Sequence, residues 1–178
     1  MKYKTYSHNP PHLFLDKTLY FITGGTHKKQ HLWFDNERKQ ILFDALDTWF
    51  KEFQWAMDTW VIFGNHYHLL LWSHQGKDLS TIIGKIHGRS ATLLNKLDSC
   101  KGRQVWWNYW DRCIRNEKDH LAFLSYILWN PVKHKIVEQP DEYARSNYQQ
   151  IIQEDVSREN ALKENLNNQL LEPESDDF

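Results

Sequence analysis

Two histidines separated by one residue, His66 and His68, have the types and spacing best suited to chemistry in this chain. They open an apolar run that follows a Gly-Asn dipeptide, a pattern typical of a β-hairpin turn. Because successive strand side chains point to opposite faces, the two imidazoles share one face, about 6–7 Å apart. Two imidazoles on a stiff strand can bind a divalent metal. The alternative is a histidine pair that only caps the hairpin through hydrogen bonds to backbone or water.

A second pair, Tyr126 and Asn130, lies four residues apart in an apolar segment that we predict to be helical. At this spacing the two side chains share one helix face, about 6 Å apart. A tyrosine hydroxyl can act as a covalent nucleophile, and an asparagine oxygen can bind a hard cation. If this face packs against the histidine pair, a metal site with an adjacent nucleophile results. The alternative is a core tyrosine and an asparagine that merely ends the helix before Pro131.

The elements that must position these residues follow the order strand, helix, strand, strand, helix, strand, with a further short helix at the end. We predict the strands over residues 18–23, 55–63, 66–72 and 105–110, with Gly24-Gly25 ending the first. We predict the helices from Asp35 to 50, from 78 or 80 to 97, and from 116 or 119 to 130, the last ended by Pro131. This order is typical of an α+β fold, a ferredoxin-like or RRM-like antiparallel sheet with helices packed on one side, here with a C-terminal extension.

Charge is distributed unevenly along the 178 residues, although the net charge is only −1. Residues 1–137 contain 19 Lys and Arg against 12 Asp and Glu, whereas residues 138–178 contain 3 against 11. A basic body suits a polyanionic partner such as nucleic acid. The acidic segment from 151 to 178 is polar, and we expect it to be a partly disordered tail.

Apolar runs of signal-peptide or membrane-spanning length are missing from the sequence, which predicts a cytoplasmic protein without a membrane partner. The two cysteines, Cys100 and Cys113, have no metal-ligand spacing, which argues against a structural zinc site. Their number also indicates no disulfide framework.

Cations and aromatic residues suggest how a single nucleic-acid strand would bind. The cations that we expect to contact phosphates are Lys28, Lys29, Arg89, Arg103, Arg112, Arg115 and Lys133. Aromatic residues account for 15% of the chain, and the exposed members of one cluster would stack on bases: Trp106, Trp107, Tyr109 and Trp110. About half of this cluster should belong to the core, since a strand buries alternate residues.

Three stretches in a fixed order together resemble the HUH endonucleases, and in particular their single-tyrosine branch of REP-associated tyrosine transposases. Residues 60–72 resemble the metal-binding strand, 106–115 the strand before the catalytic helix, and 126–134 the nucleophile helix. The resemblance covers about residues 15–150, and three ordered motifs are more specific than any one of them. It implies the same sheet-and-helix fold that the element order predicts.

The resemblance implies that His66, His68 and Asn130 bind a divalent metal, Mg²⁺ or Mn²⁺, and that Tyr126 is the nucleophile. The implied activity is metal-dependent cleavage and rejoining of single-stranded or hairpin DNA through a 5′-phosphotyrosine intermediate. Lys133 or His134 is a possible base for the tyrosine proton. The expected catalytic domain is 1–150, followed by the tail, in a monomer or a homodimer. The chain departs from the family where Thr-Gly-Gly-Thr-His replaces an Arg-Gly-Asn type segment at 23–27, which bears on target preference.

Two other functions fit parts of the sequence. A catalytically inert RRM-like nucleic-acid-binding module shares the fold plan, but its Gly-Phe-type aromatic signature is missing. A histidine nucleotide hydrolase would continue the alternating histidines at position 70, which is Leu70.

Overall fold

The computed structural model describes residues 14–154 and residue 162. Its centre is a four-stranded antiparallel sheet in the order β2-β3-β1-β4. The strands are β1 (Leu19–Thr26), β2 (Ala56–Ile62), β3 (His66–Trp72) and β4 (Trp106–Ile114). The helices are α1 (Asn36–Glu52), α2 (Leu79–Leu97), α3 (Glu117–Lys133) and α4 (Tyr148–Glu154). The predicted ferredoxin-like α+β fold is therefore confirmed.

Helices cover both faces of the sheet, so the prediction of helices on one side was wrong for α3. The first core lies under α1 and α2, against β1 and β3 residues such as Tyr20 and Leu69. The second core lies under α3, against the alternate residues of the same strands, such as Phe21 and Leu70. Because both central strands are apolar on both faces, each face has to be covered to keep water out.

The first strand does not end at its glycine pair but continues to Thr26, which corrects the predicted boundary. Gly24 pairs with Tyr67 across β1 and β3. A Cβ at position 24 would lie 2.4 Å from Tyr67 Cζ, far inside van der Waals contact. Glycine is needed here because the aromatic ring approaches the backbone closely, and no turn is involved. Strand β4 is also longer than predicted, since it pairs with β1 from Trp106 to Ile114.

The helix that carries Tyr126 begins and ends where local hydrogen bonds allow. The Asn116 side chain caps its first turn by accepting the Asp119 backbone N–H at 2.8 Å. The helix continues through Pro131 to Lys133, so the predicted stop at 130 was wrong. A proline in the last turn removes only one hydrogen bond, and the His134 N–H still donates to the Asn130 carbonyl at 2.9 Å. Asn130 therefore lies inside the helix and does not end it.

The predicted domain boundary at 150 falls within α4, whose residues Tyr148 and Ile151 are buried in the second core. Most of the expected acidic tail, 151–178, lies outside the described residues. None of the helices described is long and apolar enough to cross a membrane.

Candidate active site

Strand β3 directs its two histidines to the face that α3 covers. The ring centroids of His66 and His68 are 4.8 Å apart, and the rings are nearly perpendicular. His68 is 1% exposed and His66 8% exposed. His66 stacks on Phe63 with centroids 4.5 Å apart, and His68 stacks on Phe21 at 5.6 Å. The strand and the two phenyl rings therefore hold both imidazoles in place.

Each imidazole is oriented through its Nδ1 atom. His66 Nδ1 lies 2.7 Å from Asn65 Oδ1, and His68 Nδ1 lies 2.8 Å from Thr23 Oγ1. An Nδ1–H that donates to such an oxygen leaves Nε2 with its lone pair, the form that binds a metal. Nε2 is buried in both rings.

Sequence reasoning missed both of these orienting residues. Asn65 has a local signal, since it directly precedes His66. Thr23 has none, because its contact with His68 depends on the register between β1 and β3, in which these two residues are paired.

Helix α3 brings Tyr126 to the histidine pair. The ring centroids of Tyr126 and His68 are 5.2 Å apart, with the planes at 65°. Tyr126 is half-buried, unlike the fully buried apolar residues that flank it on α3. The Lys133 ammonium lies 5.5 Å from the centroid of the tyrosine ring. The helix end therefore brings a phenol and a cation together beside the imidazoles.

Asn130 lies one helical turn after Tyr126 and is fully buried. Within the described part of the chain, neither Oδ1 nor Nδ2 of its amide makes a hydrogen bond. Burying an amide without a partner costs about 1–3 kcal/mol, so such a group in a native fold calls for an explanation. Two imidazole nitrogens and an amide oxygen form a donor set that suits a divalent cation, and the residues present fit such an ion. No three His, Cys, Asp or Glu side chains among residues 14–154 and 162 could hold a metal by themselves.

Burial governs the charge state of His68. It lowers the pKa of His68 well below its ordinary value, and the nearby charges of His66, His134 and Lys133 lower this pKa further. His68 is therefore neutral near pH 7, which keeps its nitrogen available to a cation.

The two residues considered as bases lie on different sides of the site. Lys133 lies beside Tyr126, as described above. The ring of His134 lies 5.5 Å from that of His66 and packs edge-on against Phe63 at 5.2 Å.

The predicted phosphate-binding cations are scattered over the molecule. Arg112 extends from the α3 face of β4, with its guanidinium 5.4 Å from the Phe123 ring centroid. Arg89 is exposed on α2, which covers the other face of the sheet. Arg103 binds Asp98 at 2.6 Å, which ties it to the ends of α1 and α2. The exposed side chains that remain follow β1 or β4, or end α3: Lys28, Lys29, Arg115 and Lys133.

Of the four aromatic residues of the β4 cluster, three lie in or against the two cores and one is exposed, so more of them pack than the half that was expected. Trp106 is buried in the first core, and the Tyr109 hydroxyl lies 3.0 Å from Ser80 Oγ of α2. Trp110 faces α3 and contacts Phe21 edge-on, with centroids 5.7 Å apart. Trp107 is 70% exposed.

Known proteins share both the sequence pattern and the fold. The family model described as "Transposase IS200 like" matches residues 21–124, which include the histidine pair and end before Tyr126. The REP-associated tyrosine transposase of Escherichia coli (strain K12) is 26% identical over an alignment of 143 residues that covers 72% of this chain and 79% of that protein. A solved structure of a REP-associated tyrosine transposase bound to a REP hairpin matches with a TM-score of 0.67 and 23% identity, over 85% of this chain and 86% of the other. The family model matches more than half of the residues of this chain. The chain therefore belongs to the IS200-like transposase family.

Proposed function

We propose that this transposase cleaves and rejoins one DNA strand through a covalent bond to Tyr126. The observation that carries the proposal is the contact between the Tyr126 and His68 rings, 5.2 Å apart, on the helix face that also carries the buried amide of Asn130. A nucleophile beside a set of metal-binding atoms is the arrangement that phosphoryl transfer requires.

We propose that His66, His68 and Asn130 hold a divalent cation, Mg²⁺ or Mn²⁺. Such an ion, when bound, offsets the negative charge that builds on the non-bridging oxygens of the scissile phosphate. The buried Asn130 amide supports this assignment, because it makes no hydrogen bond to any described residue. The contacts of Thr23 Oγ1 and Asn65 Oδ1 with the Nδ1 atoms support it further, since each orients one imidazole.

The tyrosine carries out the bond exchange. Tyr126 Oη attacks the phosphorus, the Oη–P bond forms, and the bond from phosphorus to the 3′ oxygen breaks. The products are a 5′-phosphotyrosine and a strand with a free 3′-hydroxyl. The phenol proton passes to an unprotonated nitrogen, either of His134 or of Lys133 in its amine form, and the departing 3′ oxygen takes up a proton. Because one phosphoester replaces another, the 3′-hydroxyl can attack in reverse and rejoin the strands without an energy cofactor.

The substrate we propose is single-stranded DNA or a DNA hairpin. The relative of known structure was bound to a REP hairpin, and the cations at the ends of β1 and α3 suit a phosphate backbone. We further propose that one chain completes its own active site, because Tyr126 and His68 of the same chain are in contact. On this account a monomer is sufficient for cleavage.

Strand-specific labelling tests this function. A hairpin oligonucleotide with a single-stranded flank is incubated with the protein and Mn²⁺, and protein is separated under denaturing conditions. We expect a 3′ label, and not a 5′ label, to migrate with the protein, because the 5′ phosphate of the downstream fragment becomes attached. The Tyr126→Phe variant should yield no labelled protein while binding the oligonucleotide nearly as well as wild type.

The matched control is Tyr109→Phe, since this partly exposed tyrosine lies on the other face of the sheet and its hydroxyl contacts Ser80. It should give the wild-type adduct. Labelled protein in the Tyr126→Phe variant would remove Tyr126 from its role, and no adduct in wild type would leave only a DNA-binding protein.

A further inference from the structure

A β-bulge at the start of β4 determines where Trp107 points. Gly25 of β1 pairs with Asn108 and the next residue, Thr26, pairs with Trp106, so Trp107 is an extra residue on β4. Bulges of this kind re-aim a side chain and are common beside active sites. The neighbouring Trp106 is 7% exposed in the core, whereas Trp107 is 70% exposed. Trp107 therefore exposes a large apolar ring at a β-bulge, and such exposure calls for an explanation.

A second ring supports this indole. The His27 imidazole lies nearly parallel to Trp107, with centroids 5.6 Å apart and the planes at 29°. His27 is itself fixed, because its backbone N–H donates to the Val105 carbonyl at 2.8 Å. The His27 ring therefore supports one face of the indole and leaves the other face open.

This ring pair lies at the same edge of the sheet as the histidines of the candidate active site. Gly25 pairs with His66 on one side and with Asn108 on the other. The backbone N–H of Thr26 donates to the carbonyl of Asn65 at 2.8 Å, and Asn65 contacts the His66 ring. A strand that crosses this edge toward Tyr126 would therefore meet Trp107 on its way.

The surroundings of the ring pair are positively charged. Lys28 and Lys29 are exposed directly after His27. Both have positive φ angles, 56° and 55°, a conformation that non-glycine residues adopt rarely. Residues 24–34 and 99–110 contain four Lys and Arg and no Asp or Glu, and one of the four, Arg103, is paired with Asp98. The chemistry matches a phosphate backbone whose bases are free to stack.

We propose that Trp107, supported by His27, is a stacking platform for an unpaired nucleobase, with Lys28 and Lys29 binding the adjoining phosphates. The proposal rests on the proposed function and deepens it, because it specifies that the DNA beside the active site is single-stranded. A base within a duplex is stacked on both faces and cannot use such a platform without being unpaired.

Two oligonucleotides with the same phosphates and different bases isolate the stacking. One is fluorescein-labelled dT12, and the other is a twelve-unit strand of abasic residues with the same label. The ratio of their dissociation constants, measured by fluorescence anisotropy, reports the base-dependent part of binding. We expect Trp107→Ala to lower this ratio by about 5-fold or more, and Trp107→Phe to retain most of it.

The matched control is Trp72→Ala, since Trp72 is 46% exposed but lies at the opposite end of β3, paired with Leu19. It should leave the ratio unchanged. The platform is ruled out if Trp107→Ala weakens both strands equally or neither, if Trp72→Ala has the same effect, or if wild type does not prefer the strand with bases.

The same protein samples, tested for adduct formation, separate this proposal from the proposed function. A wild-type adduct with no change of ratio in Trp107→Ala rejects the platform alone. A lowered ratio in Trp107→Ala, with no wild-type adduct, supports the platform as a binding site and rejects the cleavage.

Discussion

Two sets of buried polar groups on opposite faces of β3 differ in their hydrogen bonding. Under α2, the Tyr67 hydroxyl lies 2.9 Å from His87 Nε2, and Trp106 Nε1 donates to Ser90 Oγ at 3.0 Å. Under α3, the buried amide of Asn130 makes no hydrogen bond within the described part of the chain. Tyr67 of β3 thus meets a hydrogen-bond partner on one face, whereas the site beside His66 and His68 on the other face includes an amide that meets none.

On our proposal, this difference reflects two roles: the Tyr67–His87 pair belongs to the fold, and the Asn130 amide binds a ligand. A buried polar group that finds its partner inside the fold stabilises that fold, whereas one that finds none lowers its stability. We therefore expect substitutions on the α2 face to change stability and substitutions on the α3 face to change activity.

Replacing Asn130 by leucine should give the largest effect and the clearest separation. We expect the rate of adduct formation to fall by about 100-fold or more, because the oxygen that we propose as a metal ligand is lost. The free energy of unfolding should stay constant or rise by about 1 kcal/mol, since an unbonded amide is replaced by an apolar group of similar size. Urea unfolding and adduct kinetics on the same sample measure both. A strongly destabilised variant that still forms adduct would reverse the comparison.

On the α2 face, Gly24→Ala should destabilise the fold by about 1–3 kcal/mol. The added Cβ would lie 2.4 Å from Tyr67 Cζ, and that ring is buried with no room to move. Gly84→Ala is the matched control, because nothing lies within 4 Å of its Cβ position on α2. It should raise stability by up to about 1 kcal/mol through helix propensity. Equal thermal unfolding of the two variants would contradict the close approach at Gly24.

Acid should destabilise the fold through the partly buried imidazole of His87. Burial lowers the pKa of His87 to about 3, and its ring stacks on Trp106 with centroids 4.3 Å apart. An unfolded histidine has a pKa of about 6.5, so below that pH the unfolded chain binds more protons and stability falls down to about pH 3. At pH 5 the loss from this residue is about 2 kcal/mol.

His87→Gln should remove that part of the pH dependence. Wild type and variant both keep His68, whose pKa is lowered in the same direction, so the difference between them isolates His87. Urea unfolding at pH 7 and pH 5 measures how much the free energy of unfolding changes with pH in each protein. The same slope in both proteins would show that His87 accepts a proton without unfolding.

The smallest effect expected is that of Tyr67→Phe. Removing the hydroxyl breaks its hydrogen bond to His87, which should cost about 1 kcal/mol in unfolding free energy. Adduct formation should be unchanged within about 2-fold, because the hydroxyl faces α2. A large loss of activity would show that the two faces are coupled.

Local patterns predicted the features that depend on one segment at a time. The alternation of a strand put His66 and His68 on one face, and the helix repeat put Tyr126 and Asn130 on another. The sequence also predicted Asp35 as the cap of α1. In the structure its carboxylate accepts the Arg38 backbone N–H at 2.8 Å. The roles of these site residues stay predictions until they are tested.

Contacts between distant segments could not be predicted in this way. Gly24-Gly25 has the local pattern of a turn, and only the approach of Tyr67 from β3 shows why glycine is needed inside a strand. The contact of Thr23 with His68 and the bulge at Trp107 both depend on strand register. Pro131 has the local pattern of a helix stop, but packing of α3 in the second core holds the last turn helical.

The account depends most on which atom becomes joined to DNA, and peptide mapping measures that directly. Digestion of the covalent complex with trypsin and nuclease should leave nucleotide mass on the fragment of residues 119–133. Its single tyrosine is Tyr126. Fragmentation should then locate the phosphate on that phenol. Nucleotide mass on a different fragment, or on Ser125 beside it, would contradict the account.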